Sequence, residues 1–210
     1  MKTPAALFTA VALLVLTAAG ASAAPVTILA LGDSLTAGLG VGPTEAFPAR
    51  LEAALKAKGH DVKVINAGVS GDTAADGAAR LDWALAEPVN AVIVELGAND
   101  ALRGLPVAQA EQALDRLLAA LAAKKLPVLL AGMRAPPNMG PEYQAAFDGM
   151  YERLAAKHGV LLYPFFLDGV AADPKLNQGD GMHPSPAGVD VIVARMLPSV
   201  EQLLGKVAAN

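Results

Sequence analysis

The sequence predicts an α/β protein: a three-layer α/β/α arrangement around a parallel, five-stranded sheet. Two observations carry this expectation. Short, continuous apolar runs alternate five times with longer alanine- and leucine-rich segments of helical period, and the first three runs are followed by polar, glycine-bearing loops. Strands buried on both faces read as unbroken apolar runs, and parallel neighbours need crossover helices that cover those faces.

In chain order, the expected strands are Val26 to Leu31, Val62 to Asn66, Ala91 to Leu96, Pro127 to Gly132 and Gly159 to Tyr163. Such short, continuous apolar runs read as buried parallel strands. The expected helices are Ala46 to Lys58, Thr73 to Leu85, Val107 to Lys124, Pro141 to His158 and Ala187 to Leu204. No linker, repeat or low-complexity tract interrupts residues 24–210, which read as one domain.

Composition narrows the function classes. Sixteen basic residues against 20 acidic give a net charge of −4, so there is no basic footprint for nucleic acid or anionic lipid. The chain has no cysteine, which removes disulfides, thiolate nucleophiles and cysteine-bound metals. Hydroxyl, carboxylate and imidazole groups must therefore do any chemistry. Lys2, the apolar run from Ala5 to Ala19, and Ala21-Ser22-Ala23 form a leader expected to be cleaved after Ala23. Fifteen helical residues span only about 22 Å, short of a roughly 30 Å bilayer core, so no stable membrane anchor is expected. Cleavage leaves 15 basic residues and a net charge of −5. Such a chain belongs in the periplasm or outside the cell.

Parallel sheets bind ligands beyond the carboxyl ends of their strands, so chemistry is sought in the loops that follow. The first three strands lead into Gly32-Asp33-Ser34-Leu35-Thr36, Ala67-Gly68-Val69-Ser70-Gly71-Asp72 and Gly97-Ala98-Asn99-Asp100. The fifth is followed, after a turn-rich passage, by Gly179-Asp180-Gly181-Met182-His183-Pro184. After residue 23 there are four serines. Ser185 suits a helix cap before Pro186, and Ser199 lies in the last helix, one turn from its expected end. Ser70 competes with Ser34, but Ser70-Gly71-Asp72-Thr73 resembles a helix start; Asp33 or Ser34 is open to a capping role too.

His60 and His158 sit at the carboxyl ends of expected helices, where they suit the helix dipole. His183 lies outside a helix with Asp180 three residues before it, a spacing that lets the carboxylate orient the imidazole as a base. The same pair offers two metal ligands but no third, so no metal and no cofactor is expected. Gly68 and Asn99 are candidate donors to an oxyanion, Gly68 through its backbone and Asn99 through its amide. Each alone also fits a plain turn residue. G-x-S-x-G and G-x-x-x-x-G-K-[ST] are absent, and Gly38-Leu39-Gly40-Val41-Gly42 is badly spaced for a dinucleotide.

Gly32-Asp33-Ser34-Leu35, Gly68, Gly97-Ala98-Asn99-Asp100 and Asp180-Gly181-Met182-His183-Pro184 resemble, in order and spacing, the four blocks of the SGNH (GDSL) hydrolase family. The wider wording is similar to its bacterial periplasmic arylesterase, acyl-CoA thioesterase and lysophospholipase branch. The resemblance spans residues 24–210 and implies the flavodoxin-like SGNH fold. It implies Ser34 as nucleophile, His183 as base, Asp180 as its orienting acid, and Ser34 N–H, Gly68 and Asn99 as oxyanion hole. Ala98 departs from the pattern, since close relatives often carry a second glycine there. The resemblance also places a substrate loop at Ala101 to Pro106.

The partner is then a small-molecule acyl ester or thioester. Leu102, Leu105, Met133 and Met139 are candidate acyl-pocket residues, and packing roles fit them equally. Activity should rise as pH passes roughly 6 to 7, where an imidazole loses its proton. Two other functions compete: carbohydrate O-acetyl esterase, for which the sequence shows no aromatic sugar platform beyond Trp83, and non-catalytic acyl or lipid binding, against which the intact Ser34, Asp180 and His183 argue.

Overall fold

The computed structural model describes residues 24–209; the expected leader at 1–23 and its cleavage point lie outside the described residues. Five parallel strands, β1 (Val26–Gly32), β2 (Val62–Gly68), β3 (Ala91–Glu95), β4 (Val128–Ala131) and β5 (Leu161–Tyr163), form one sheet in the order β2-β1-β3-β4-β5. Order reverses beside β1, so the crevice between the ends of β1 and β3 is the position where such sheets bind ligands. Register makes Gly32 of β1 the partner of both Gly68 of β2 and Glu95 of β3. Three expected site loops therefore leave the sheet side by side.

Among the described residues, eight α-helices accompany the strands: α1 (Ser34–Ala37), α2 (Phe47–Ala57), α3 (Ala74–Ala79), α4 (Leu81–Ala84), α5 (Ala98–Leu102), α6 (Val107–Ala123), α7 (Pro141–His158) and α8 (Pro186–Ala208). α2 packs with α8 on one face, and α3, α6 and α7 pack together on the other. On α6, Ala110, Ala113, Leu114, Leu117, Leu118 and Leu121 repeat at helical spacing and are all buried. Each of those leucines stabilises the fold by about 1.5–3 kcal/mol. β3 has no solvent-facing side, since Ala91 through Glu95 are all buried.

Caps set the helix starts. The Thr73 side chain accepts from the Asp76 N–H while Asp76 bonds back to the Thr73 N–H, a reciprocal box at the head of α3. Ser185 caps α8 before Pro186, as expected. The single helix expected over Thr73 to Leu85 is two, broken at Arg80. Its Nη2 donates to the Gly32 carbonyl at 3.0 Å and its Nε bonds Asp72, which ties the break to the sheet. α8 continues through Pro198 to Ala208, so Ser199 is interior to the helix rather than near its end.

Candidate active site

Ser34 is the first residue of α1, directly beyond β1. Asp33 before it caps the helix, its Oδ1 accepting the Leu35 N–H at 2.9 Å. The Ser34 Oγ lies 2.8 Å from His183 Nε2, and His183 Nδ1 lies 2.6 Å from Asp180 Oδ2. Asp180 Oδ1 also accepts the Met182 and His183 N–H groups at 2.9 and 3.0 Å. The His183 and Met182 amides, followed by the ring, hold this carboxyl below the usual carboxylate range. An ionised Asp180 can only accept, so Nδ1 carries the proton and Nε2 is left to accept from the Ser34 hydroxyl. That tautomer is the one a general base needs.

Ser70 does not share this arrangement. It lies in the turn before Thr73, and the capping role that its sequence suggested belongs to Thr73. His60 and His158, which precede β2 and β5 at the opposite edge from the carboxyl ends, bond Glu201 and Asp115 instead.

Gly68 and Asn99 reach the same strand ends. A methyl on Gly68 would lie 2.2 Å from the Ala37 backbone nitrogen, so only glycine lets β2 pass α1 this closely. Gly68 N–H donates to Asn66 Oδ1 at 3.0 Å. The Asn99 amide donates to Asp33 Oδ2 at 3.0 Å and to the Asp72 carbonyl at 2.9 Å. Both candidate donors are thus held by internal partners. Burial is the main force on Asp33; it raises the carboxyl pKa to about 6, against the opposing pull of the Leu35 N–H and the His183 charge.

A cavity of about 1010 Å³ opens beside Ser34, Asn99 and His183. Its apolar wall includes Leu39, Met133, Leu162, Phe165 and Leu167, and Leu102 and Ala98 also line it. Two expected wall residues, Leu105 and Met139, are not among the lining. After α5 the chain turns away: Leu105 donates its N–H to the Asp100 carbonyl, and its own carbonyl accepts the Tyr143 hydroxyl. Met139 lies instead against Gly104. Leu162, Phe165 and Leu167 were not singled out in the sequence, because an apolar residue at the end of a strand reads equally as core. Trp83 is 74% exposed and outside the lining, so it offers the cavity no sugar platform. Among the described residues, no cluster of three or more His, Cys, Asp or Glu is placed to hold a metal ion.

The GDSL-like lipase/acylhydrolase family model matches residues 30–191, which hold all four motif blocks. The chain belongs to this GDSL (SGNH) family. Esterase TesA of Pseudomonas aeruginosa is 42% identical over 183 residues, covering 87% of this chain and 91% of the relative. Thioesterase 1/protease 1/lysophospholipase L1 of Escherichia coli is 39% identical, covering 87% of each chain. The crystal structure of AlinE4, an SGNH-hydrolase family esterase, matches with a TM-score of 0.74 at 46% identity, covering 88% of this chain and 99% of that one. The expected SGNH fold is the observed one, and this GDSL chain shares its sheet with solved esterases.

Proposed function

We propose that this serine esterase hydrolyses carboxylic esters and thioesters of apolar acyl chains through an acyl-enzyme on Ser34. The observation that carries the reading is the continuous relay from Asp180 to His183 to Ser34, at 2.6 and 2.8 Å, opening on a largely apolar cavity. In the first step His183 Nε2 takes the Ser34 proton as Oγ attacks the acyl carbonyl. The imidazolium, steadied by Asp180, returns that proton to the leaving alcohol or thiol. Water then attacks the acyl carbonyl as His183 takes its proton, and the imidazolium returns that proton to Ser34 Oγ as the acyl–oxygen bond breaks and the acid departs.

The carbonyl oxygen gathers negative charge in both steps. Ser34 N–H, Gly68 N–H and the Asn99 amide are its assigned donors, and the oxygen competes there with Asn66, Asp33 and Asp72. The reaction needs no cofactor. Residues 1–23 act as an export leader on this reading, and residues 24–210 form one hydrolase domain in the periplasm or outside the cell. Among the described residues, no helix is long and apolar enough to cross a membrane.

The test is steady-state hydrolysis of p-nitrophenyl acetate, butyrate, octanoate and palmitate, with octanoyl-coenzyme A as the thioester, by the protein and by Ser34→Ala. Turnover is expected to peak at a medium or long acyl chain and to fall by about 10⁵-fold or more in the variant. Equal rates in both proteins would overturn Ser34 and leave Ser70 as the nucleophile to test. A sharp preference for acetate would favour acetylated carbohydrates.

A further inference from the structure

Glu95 ends β3 and is the one charged residue of that strand; its side chain has no solvent exposure. Register places it across from Gly32, directly under the turn that carries Ser34. Its Oε2 accepts the Thr36 hydroxyl at 2.7 Å and, more weakly, the Asp33 N–H at 3.4 Å. One oxygen thus holds the residue before Ser34 and the residue two after it. Thr36 and Asp33 are each 1% exposed, so water does not compete for these bonds.

α1 cannot place itself. It has four residues, little more than one turn, and so short a helix is not stable without tertiary support. Gly32 shows how closely that support approaches. A methyl there would lie 2.1 Å from Thr36 Oγ1 and 2.6 Å from Glu95 Oε2, so the bridge occupies the space that a side chain would fill. Glu95 Oε1 has no hydrogen-bond partner, and burying an unpaired carboxyl oxygen costs stability. An aliphatic residue would pack this strand end without that cost. Glu95 touches neither Ser34 Oγ nor His183, so any influence on the chemistry passes through the backbone of α1.

We propose that Glu95 is a positioning residue for acyl transfer, clamping Thr36 and the Asp33 amide so that Ser34 Oγ stays in line with His183 Nε2. This rests on Ser34 as the nucleophile. Burial, then the neighbouring Asp33 carboxyl, pushes the Glu95 pKa well above its usual range. Asp33 from the β1 end and the Tyr151 hydroxyl from α7 are titratable neighbours that supply no positive charge, and the nearby Arg80 guanidinium is turned to the Gly32 carbonyl and Asp72. A neutral carboxyl is close in shape and charge to a glutamine amide, whose oxygen can still accept from Thr36.

The clamp is tested with Thr36→Val, Thr36→Ser, Glu95→Leu and Glu95→Gln, measuring kcat and KM on p-nitrophenyl butyrate and Tm for each, with Ser34→Ala alongside. Thr36→Val keeps the shape and removes the hydroxyl. It is expected to lower kcat about tenfold or more, with KM within about twofold and Tm only a few degrees below the parent, since Glu95 Oε2 loses its main donor. Thr36→Ser should return most of that kcat, and Glu95→Gln should recover most of what Glu95→Leu loses. Unchanged kcat in Thr36→Val, or a loss that serine does not restore, would overturn the clamp. So would losses that simply follow Tm. If Glu95→Leu fails to fold, the two Thr36 variants decide alone. Turnover retained in Ser34→Ala would sink the nucleophile itself, whereas an inactive Ser34→Ala beside a normal Thr36→Val would sink the clamp only.

Discussion

Asp33 and Thr36, on either side of Ser34, are almost fully buried and bonded to Asn99 and Glu95, whereas Asp180 and Met182, beside His183, are exposed. The base loop is held mainly by its own short-range contacts. An isolated bridge joins Asn177 to Pro184, and Gln178 N–H donates to the His183 carbonyl at 2.7 Å. Besides the contact of His183 with Ser34 itself, a bond from Gln178 Nε2 to the Leu39 carbonyl at 2.8 Å links it across to the nucleophile side. Ser34, the proposed nucleophile, thus takes its place from the sheet, while His183, the proposed base, takes its place from a turn that the chain ties onto itself. A strand end is stiff because many buried groups fix it; a surface turn is fixed by the few bonds that it makes.

Removing the base breaks this pairing most severely. His183→Ala is expected to lower kcat by about 10⁵-fold or more, with little change in Tm, because the ring stabilises no buried core. Circular-dichroism melts beside the kinetic assay check both halves of that statement. Asp180→Asn should cost less, on the order of 10⁴-fold in kcat. Its amide cannot replace the carboxylate that holds the Nδ1 proton, although Met182 and His183 N–H still find an acceptor oxygen. A loss below about tenfold would mean that the turn orients the imidazole without the charge.

The smallest expected effect lies on the buried side and is read as stability. The Glu95 pKa is raised on folding, so the native state holds a proton that the unfolded chain releases above about 4.5. Stability associated with this group is therefore fully present below 4.5 and declines as pH rises towards the folded value. Glutamine does not titrate. The Tm of Glu95→Gln relative to the parent should accordingly increase between pH 5 and pH 8, by about 2–4 °C for each kcal/mol involved. A difference that stays constant with pH would show that Glu95 ionises as freely in the fold as outside it.

Much of this was legible in the sequence, for physical reasons. Buried parallel strands must be apolar throughout, and α6 and α7 are long enough for their period to show, so five strands and the long helices were readable. α1 and α5 were not, because four or five residues carry no period; their positions come from the strand ends that they follow. The relay of Ser34, Asp180 and His183 was readable because few serines and histidines compete. The cavity wall was only partly so, since Leu105 and Leu167 look alike until the chain direction after α5 is known. Glu95 stood in plain view as the acid in Ala-Val-Ile-Val-Glu-Leu. Its clue was a charge where every neighbour is apolar, which ordinarily requires a partner.

The bridge between Asn177 and Pro184 has a consequence for how the enzyme fails on warming. Loops with few anchoring bonds open at lower free energy than the core that carries them. Heat should therefore displace His183 while the five strands remain paired, and catalysis should disappear several degrees before the melt. An enzyme warmed into that interval and cooled again would regain its rate without having refolded. On that expectation the working temperature of this hydrolase follows residues 177–184, buried at both ends and exposed from 179 to 182, and that stretch is where selection for hotter or colder habitats would act without disturbing the sheet.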